Sequence, residues 1–193
     1  MYSIKDKYAV WVGRIQPYHI SHLSILRRSL EIWDVPHVNG IVCHDYDLMG
    51  SNPPAKHARA YNPFTPWERY FMVRTCLASL GLLHRVDTVF VPFLKVEQWG
   101  ITSRYLPERF FFCTTNKDSE DLDKIKVWDA LGWESAVLDV SGMRMYSSSD
   151  VRRAVVSGRD WREFIHESAH EYFESIDGPA RLLQSAREVI ASE

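Results

Sequence analysis

Two short stretches of the chain carry residue types that could handle phosphate. The first reads Gly13-Arg14-Ile15-Gln16-Pro17-Tyr18-His19-Ile20-Ser21-His22. A glycine ends an apolar run, a proline-bearing turn follows, and two histidines stand three apart as a helix begins. Positions three apart at a helix start share a face. Both imidazoles can therefore address one ligand, beside backbone N–H groups and the positive end of the helix dipole. The second stretch reads Tyr146-Ser147-Ser148-Ser149-Asp150-Val151-Arg152. It offers hydroxyls and N–H groups at a helix start, with an arginine one turn on along the same face, a combination that cradles a polyphosphate. Taken singly, the first is also two ordinary histidines near a turn, and the second a serine-rich cap with a solvated arginine. Taken together they read as two halves of one site.

Such a site needs elements that bring its halves together. The apolar run 8–12 ends at Gly13 and has the look of a buried parallel strand. A helical pattern follows, with Leu23, Leu26, Leu30 and Trp33 near one face. Further strands are expected at 38–43, 87–91, 109–114 and 136–140. Thr65-Pro66-Trp67-Glu68 combines a capping box with proline at the first helical position, opening a helix that should run to Leu80 and stop at Gly81. Another helix is expected over 119–131, ending at Gly132. After Ser147 the chain reads as helical, broken at Gly158 and at Asp177-Gly178-Pro179, with a further capping box at Ser168 and Glu171. The fold class is α/β: a doubly wound, Rossmann-like parallel sheet with C-terminal helices. We expect a single domain over 1–193, an α/β core over 1–146 and a helical part over 147–193. Ligands of such sheets bind beyond the carboxyl ends of the strands. The stretch 45–62 breaks the alternation and reads as a mobile loop carrying the basic residues Lys56, His57 and Arg59.

Composition fits this reading. The 193 residues are 46% hydrophobic and 25% charged, the mix of a globular chain with a real core. With 23 Lys and Arg against 25 Asp and Glu, the net charge of −2 argues against nucleic acid or anionic membrane as a partner held by bulk charge. Three cysteines without metal-ligand spacing read as reduced, buried thiols. No apolar run approaches the ~18 residues of a membrane span, and none makes a signal-peptide core. The cytoplasm is the expected location.

At the first motif the sequence resembles the nucleotidylyltransferase superfamily marked by H-x-G-H. It is most similar to the archaeal-type nicotinamide-mononucleotide adenylyltransferases, whose opening reads G-R-x-Q-P-x-H-x-G-H. Asn62-Pro63-Phe64-Thr65-Pro66-Trp67-Glu68-Arg69 is similar to that family's N-P-F-T-x-x-E-R, and the 146–152 stretch to its I-S-x-T-x-I-R. Asp160-Trp161-Arg162 and Ile176-Asp177-Gly178 are similar to its closing helices. The resemblance implies transfer of AMP from ATP to a pyridine mononucleotide, with release of pyrophosphate, in NAD biosynthesis. It implies His19, His22 and Arg14 at the reacting phosphates, and Gly13, Gln16, Asn116, Ser148, Ser149 and Arg152 around the nucleotide. Trp99 falls where the family stacks the pyridine ring, with Lys95, Glu97 and Arg59 around the acceptor. Mg²⁺ is expected to arrive on the nucleotide, held by phosphate and water rather than by a protein cage. Members are often oligomeric, so self-association is an expectation resting on the resemblance alone.

Three departures bear on the acceptor and the nucleotide. Ser21 replaces the motif glycine, which permits close approach of nucleotide to backbone. Cys43-His44-Asp45-Tyr46-Asp47 replaces a Gly-Ser pair after the second strand. Lys95 stands where the family has an aspartate for the carboxamide, which would suit nicotinate mononucleotide better than its amide. The alternatives are another phosphorylated acceptor or CTP within the same superfamily, and a nucleotide-binding regulator without catalysis.

Overall fold

The computed structural model describes residues 6–43, 61–92 and 99–192. Within them, β1 (Tyr8–Gly13), β2 (His37–Cys43), β3 (Val86–Pro92), β4 (Phe110–Thr115) and β5 (Ser135–Leu138) form one sheet in the order β3-β2-β1-β4-β5. Every pairing is parallel. This is the expected doubly wound α/β sheet, with its strand order reversing between β1 and β4.

Alternation along the strands sorts the core into two faces. Val10 pairs with Val38 on one side and with Phe112 on the other. All three belong to one buried cluster with Trp128 of α4 (Ser119–Ala130), whose indole stacks on Phe112 at 4.8 Å. Their neighbours Ala9, Phe111 and Cys113 point the opposite way, toward Val35 and Trp33. On that face lie α1 (Ile20–Trp33), which buries Leu23, Leu26 and Leu30, and α2 (Pro66–Ser79), which buries Met72, Val73, Cys76 and Leu77. The expected capping box of α2 forms. The Thr65 N–H donates to Glu68 Oε2 at 2.8 Å, and the Glu68 N–H donates to Thr65 Oγ1 at 3.2 Å.

The remaining helices are the short α3 (Trp99–Thr102), α5 (Ser148–Val156), α6 (His170–Ser175) and α7 (Gly178–Ser192). Val151, Phe164, Phe173 and Leu182 join the cluster built by α1 and α2, so the C-terminal helices extend the core beneath the first motif. The break before α7 has a steric cause. A Cβ on Gly178 would lie 2.5 Å from the Phe173 carbonyl oxygen, and Asp177 turns the chain with a φ of 55°.

One expected cap is corrected. Ser168 does not open a helix with Glu171. It lies inside a 3-10 turn (Glu167–Ala169) capped by His166, and α6 begins one residue later without a side-chain cap. The expected loop 45–62 lies outside the described residues except for its last two positions. Among the described residues, no helix is long and apolar enough to cross a membrane.

Candidate active site

The turn after β1 is bent by Ile15, whose φ of 54° is uncommon for a β-branched residue. Neighbours hold it there. Ile15 is buried, and the guanidinium of Arg69 donates to the carbonyl of Arg14 before it and to that of Val42, at the end of β2, at 2.9 Å. Gln16 is pinned in the same way: its amide donates to the Phe64 carbonyl at 2.8 Å and accepts the Phe64 N–H at 3.0 Å. Glu68 completes the frame through a two-pronged pair with Arg181 of α7, at 2.6 and 2.9 Å. The Asn62–Arg69 stretch thus acts from behind, fixing the ends of β1 and β2 and the turn that carries the histidines.

His19 caps α1 and is 3% exposed; His22 lies one turn on. Their ring centroids are 3.8 Å apart, and Tyr18 stacks on His22 at 5.4 Å. The spacing argument holds: both rings gather at one point. Burial first, then the charges of His22 and Lys117, hold His19 well below the ordinary imidazole range. Burial first, and the charge of Lys117 second, hold His22 down to about 4. Both rings are therefore neutral at pH 7. The His19 N–H donates to His22 Nδ1 at 3.2 Å, so the proton of a neutral His22 sits on Nε2, a donor. His19 Nδ1 is buried with no hydrogen-bond partner, which is unusual unless a ligand completes it. One expected donor is taken. The Ile20 N–H bonds the Phe164 carbonyl at 2.8 Å.

A cavity of about 450 Å³ opens here, at the carboxyl ends of β1 and β4. Gly13, Arg14, His19, Ser21, His22 and Ser148 line it. Gln16, Asn116, Ser149 and Arg152 lie off its wall. Arg152 is nevertheless part of the assembly. Only 5% exposed, it donates to Ser149 Oγ at 3.1 Å and to the Gln16 carbonyl at 3.5 Å, three residues from His19. Burial first, then the charge of Arg14, push its guanidinium below the ordinary range. Tyr61, whose ring centroid lies 5.5 Å from the guanidinium, acts in the opposite direction.

The second motif is built as a capped helix start. Ser147 accepts the Asp150 N–H at 3.1 Å and donates to Asp150 Oδ2 at 2.7 Å, so its hydroxyl serves α5 rather than a ligand. Both Ser147 and Ser148 line the cavity. Ser21 answers the question raised by its replacement of glycine. Its Oγ is buried and accepts the Tyr146 N–H at 2.7 Å, tying α1 to the segment that leads into α5.

Asn116 is engaged elsewhere. It donates to Asp139 Oδ1 at 2.7 Å and accepts the Val140 N–H at 2.9 Å, closing the ends of β4 and β5. Trp99 begins α3, but its side chain, with Lys95, Glu97 and Arg59, lies outside the described residues. Sequence reasoning stopped one residue short of Lys117, which lines the cavity together with Thr114 and Thr115. The available signal was the polar run Asn116-Lys117-Asp118 at the end of the strand beside β1. Among the described residues, no three His, Cys, Asp or Glu side chains gather as a metal site. Asp121, on the cavity wall, is already bound to Thr115 and Lys124, each at 2.5 Å.

No family model matches the chain. It is 25% identical over 187 residues to the nicotinamide-nucleotide adenylyltransferase of Saccharolobus solfataricus, covering 95% of this chain and 97% of that protein. It is 27% identical over 177 residues to the protein of the same name from Methanosarcina mazei, covering 90% and 91%. Its fold matches that of Plasmodium falciparum nicotinic acid mononucleotide adenylyltransferase, solved with NaAD, with a TM-score of 0.52 at 10% identity, covering 90% of this chain and 97% of that one. The resemblance to the H-x-G-H nucleotidylyltransferases, drawn from four short motifs, thus extends over nearly the whole chain and to its fold.

Proposed function

We propose that this chain is an adenylyltransferase that moves AMP from MgATP to the phosphate of a pyridine mononucleotide, forming a dinucleotide of the NAD type and releasing pyrophosphate. The observation that carries the reading is the convergence of the His19–His22 pair with Arg14 and Ser148 on one cavity at the carboxyl ends of β1 and β4, with Arg152 set behind its wall on the Gln16 carbonyl. Near full-length similarity to proteins named for that activity supports it.

The reaction needs no protein nucleophile. An anionic oxygen of the acceptor's phosphate attacks the α-phosphorus, the bond to the β-phosphate oxygen breaks, and the electron pair leaves with pyrophosphate. What the protein supplies is alignment of two anions and donors placed where charge accumulates. His22 Nε2–H is such a donor, and as a neutral ring it adds no positive charge beside Arg14 and Lys117. Arg14 and Arg152 offset the repulsion between the two phosphorylated substrates. Ser148 and Ser149 add hydroxyls at the start of α5. Mg²⁺ would be held by the nucleotide's phosphates and water rather than by protein side chains, and would supply charge neutralisation there. Gln16 acts as a positioning residue, because its amide is committed to Phe64. We place the protein in the cytoplasm, where its three free cysteines remain reduced.

Lys95 favours nicotinate mononucleotide over its amide as acceptor. Pyrophosphate release measured with ATP or CTP against nicotinamide and nicotinate mononucleotides tests both levels. Release with ATP and either pyridine nucleotide, with the acid preferred, supports the reading. Clear preference for the amide refutes the Lys95 argument, and release with CTP alone refutes the adenylyl assignment.

A further inference from the structure

We infer that Lys117 is a catalytic residue of this site, its ammonium donating to a non-bridging oxygen of the nucleotide's α-phosphate. The inference rests on the adenylyltransferase reading and extends it to a residue that the motifs do not include.

Lys117 follows β4, the strand that flanks β1 where the sheet order reverses, so it emerges beside the turn carrying the histidines. It shares the cavity wall with Arg14, His19 and His22. Its position is prepared. Asp118 caps α4 with Oδ1, accepting the Asp121 N–H at 2.9 Å, while Oδ2 lies 3.2 Å from Lys117 Nζ. A carboxylate fixed at a helix start thus restrains the lysine stem. The side chain remains about one-third exposed, open to an incoming ligand. The nearby Asp121 does not compete for it, being paired with Lys124. The ammonium is also close enough to both imidazoles for its charge to disfavour their protonation. Asp118 is the ammonium's counter-charge at the cavity wall, and a phosphate arriving between the ammonium and the two neutral rings supplies a second anionic partner. As the acceptor oxygen bonds to the α-phosphorus and pyrophosphate departs, negative charge gathers on the non-bridging oxygens that Lys117 and His22 Nε2–H reach together. No proton need be transferred.

The test compares wild type with Lys117→Met, Lys117→Arg and, as control, Lys126→Met, a lysine on α4 that is 80% exposed. Rates are measured with MgATP and a pyridine mononucleotide, and AMP and pyrophosphate binding by calorimetry. Lys117→Met should lower kcat by about 10²-fold and weaken AMP binding by about tenfold, with acceptor KM and pyrophosphate affinity within about twofold. Lys117→Arg should recover part of kcat, and Lys126→Met should match wild type. Wild-type AMP affinity and kcat in Lys117→Met overturn the inference, as does a loss confined to pyrophosphate. If wild type turns over no acceptor, the activity reading fails, and the AMP measurement still judges Lys117. Circular dichroism checks folding, and Lys117→Gln serves should the methionine variant not fold.

Discussion

Ser21 Oγ accepts a hydrogen bond from the main-chain N–H of Tyr146 at 2.7 Å, joining positions 125 residues apart. The residue that departs from the H-x-G-H pattern thereby joins the two motifs, alongside the Arg152 bond to the Gln16 carbonyl. A single neutral bond contributes about 0.5–1.5 kcal/mol. Ser21→Ala should therefore raise KM for ATP by roughly two- to tenfold while changing kcat less, because the start of α5 is held less firmly. Steady-state kinetics at varied ATP checks this. Unchanged KM with only a lower melting temperature would reduce the bond to a structural tie.

His22 faces the cavity with a donor nitrogen whose tautomer is set by the His19 N–H. His22→Ala removes an interaction that strengthens as charge builds, so kcat should drop by about 10²–10³-fold. Circular dichroism should remain that of the folded protein. Near-normal turnover in that variant would count against the site assignment.

Arg69 is 2% exposed and donates to the carbonyls of Arg14, Val42 and Thr65. Arg69→Met leaves buried acceptors without donors, each loss costing about 1–3 kcal/mol. We expect about 3 kcal/mol of destabilisation in all, or roughly 6–12 °C in melting temperature for a chain of this length. Activity should fall as well, because Ile15 loses the restraint on its left-handed turn. A thermal melt within 2 °C or so of wild type would contradict this role.

Stability should also depend on pH through His37, which is fully buried, with Nδ1 2.7 Å from the Val35 carbonyl and Nε2 2.8 Å from Ser29 Oγ. Burial, the largest influence, holds it down to about 4. Between about pH 6.5 and 4 the unfolded chain binds a proton that the folded chain refuses, so stability falls as pH is lowered through that window. This one group accounts for up to about 3 kcal/mol of the loss. His19 and His22 act in the same direction. Urea unfolding at pH 7 and 4.5 should show a smaller difference for His37→Gln than for wild type; equal differences would remove His37 from the account.

Much of the fold was legible because its signals are local. The Thr65–Glu68 box opens α2, and Gly81 and Gly132 follow α2 and α4 with φ values of 67° and 71°. The histidine pair was legible for the same reason, since three-residue spacing at a helix start is a property of the backbone alone. What escaped was set by distant partners. Gln16 carries a side chain suited to a nucleotide, yet Phe64, 48 residues away, takes both ends of its amide. Asn116 similarly serves Asp139 and Val140. Lys117 gains its place only once β4 lies beside β1. Ser168 and Glu171 mimic a capping box, but His166 captures the turn first.

The central claim is that His22 and Arg152 grip one triphosphate. A crystal structure with MgATP or its α,β-methylene analogue addresses it most directly. The account predicts phosphate oxygens at hydrogen-bond distance, about 3 Å, from both His22 Nε2 and the Arg152 guanidinium. A triphosphate that touches neither, or that reaches only one of the two, would contradict it.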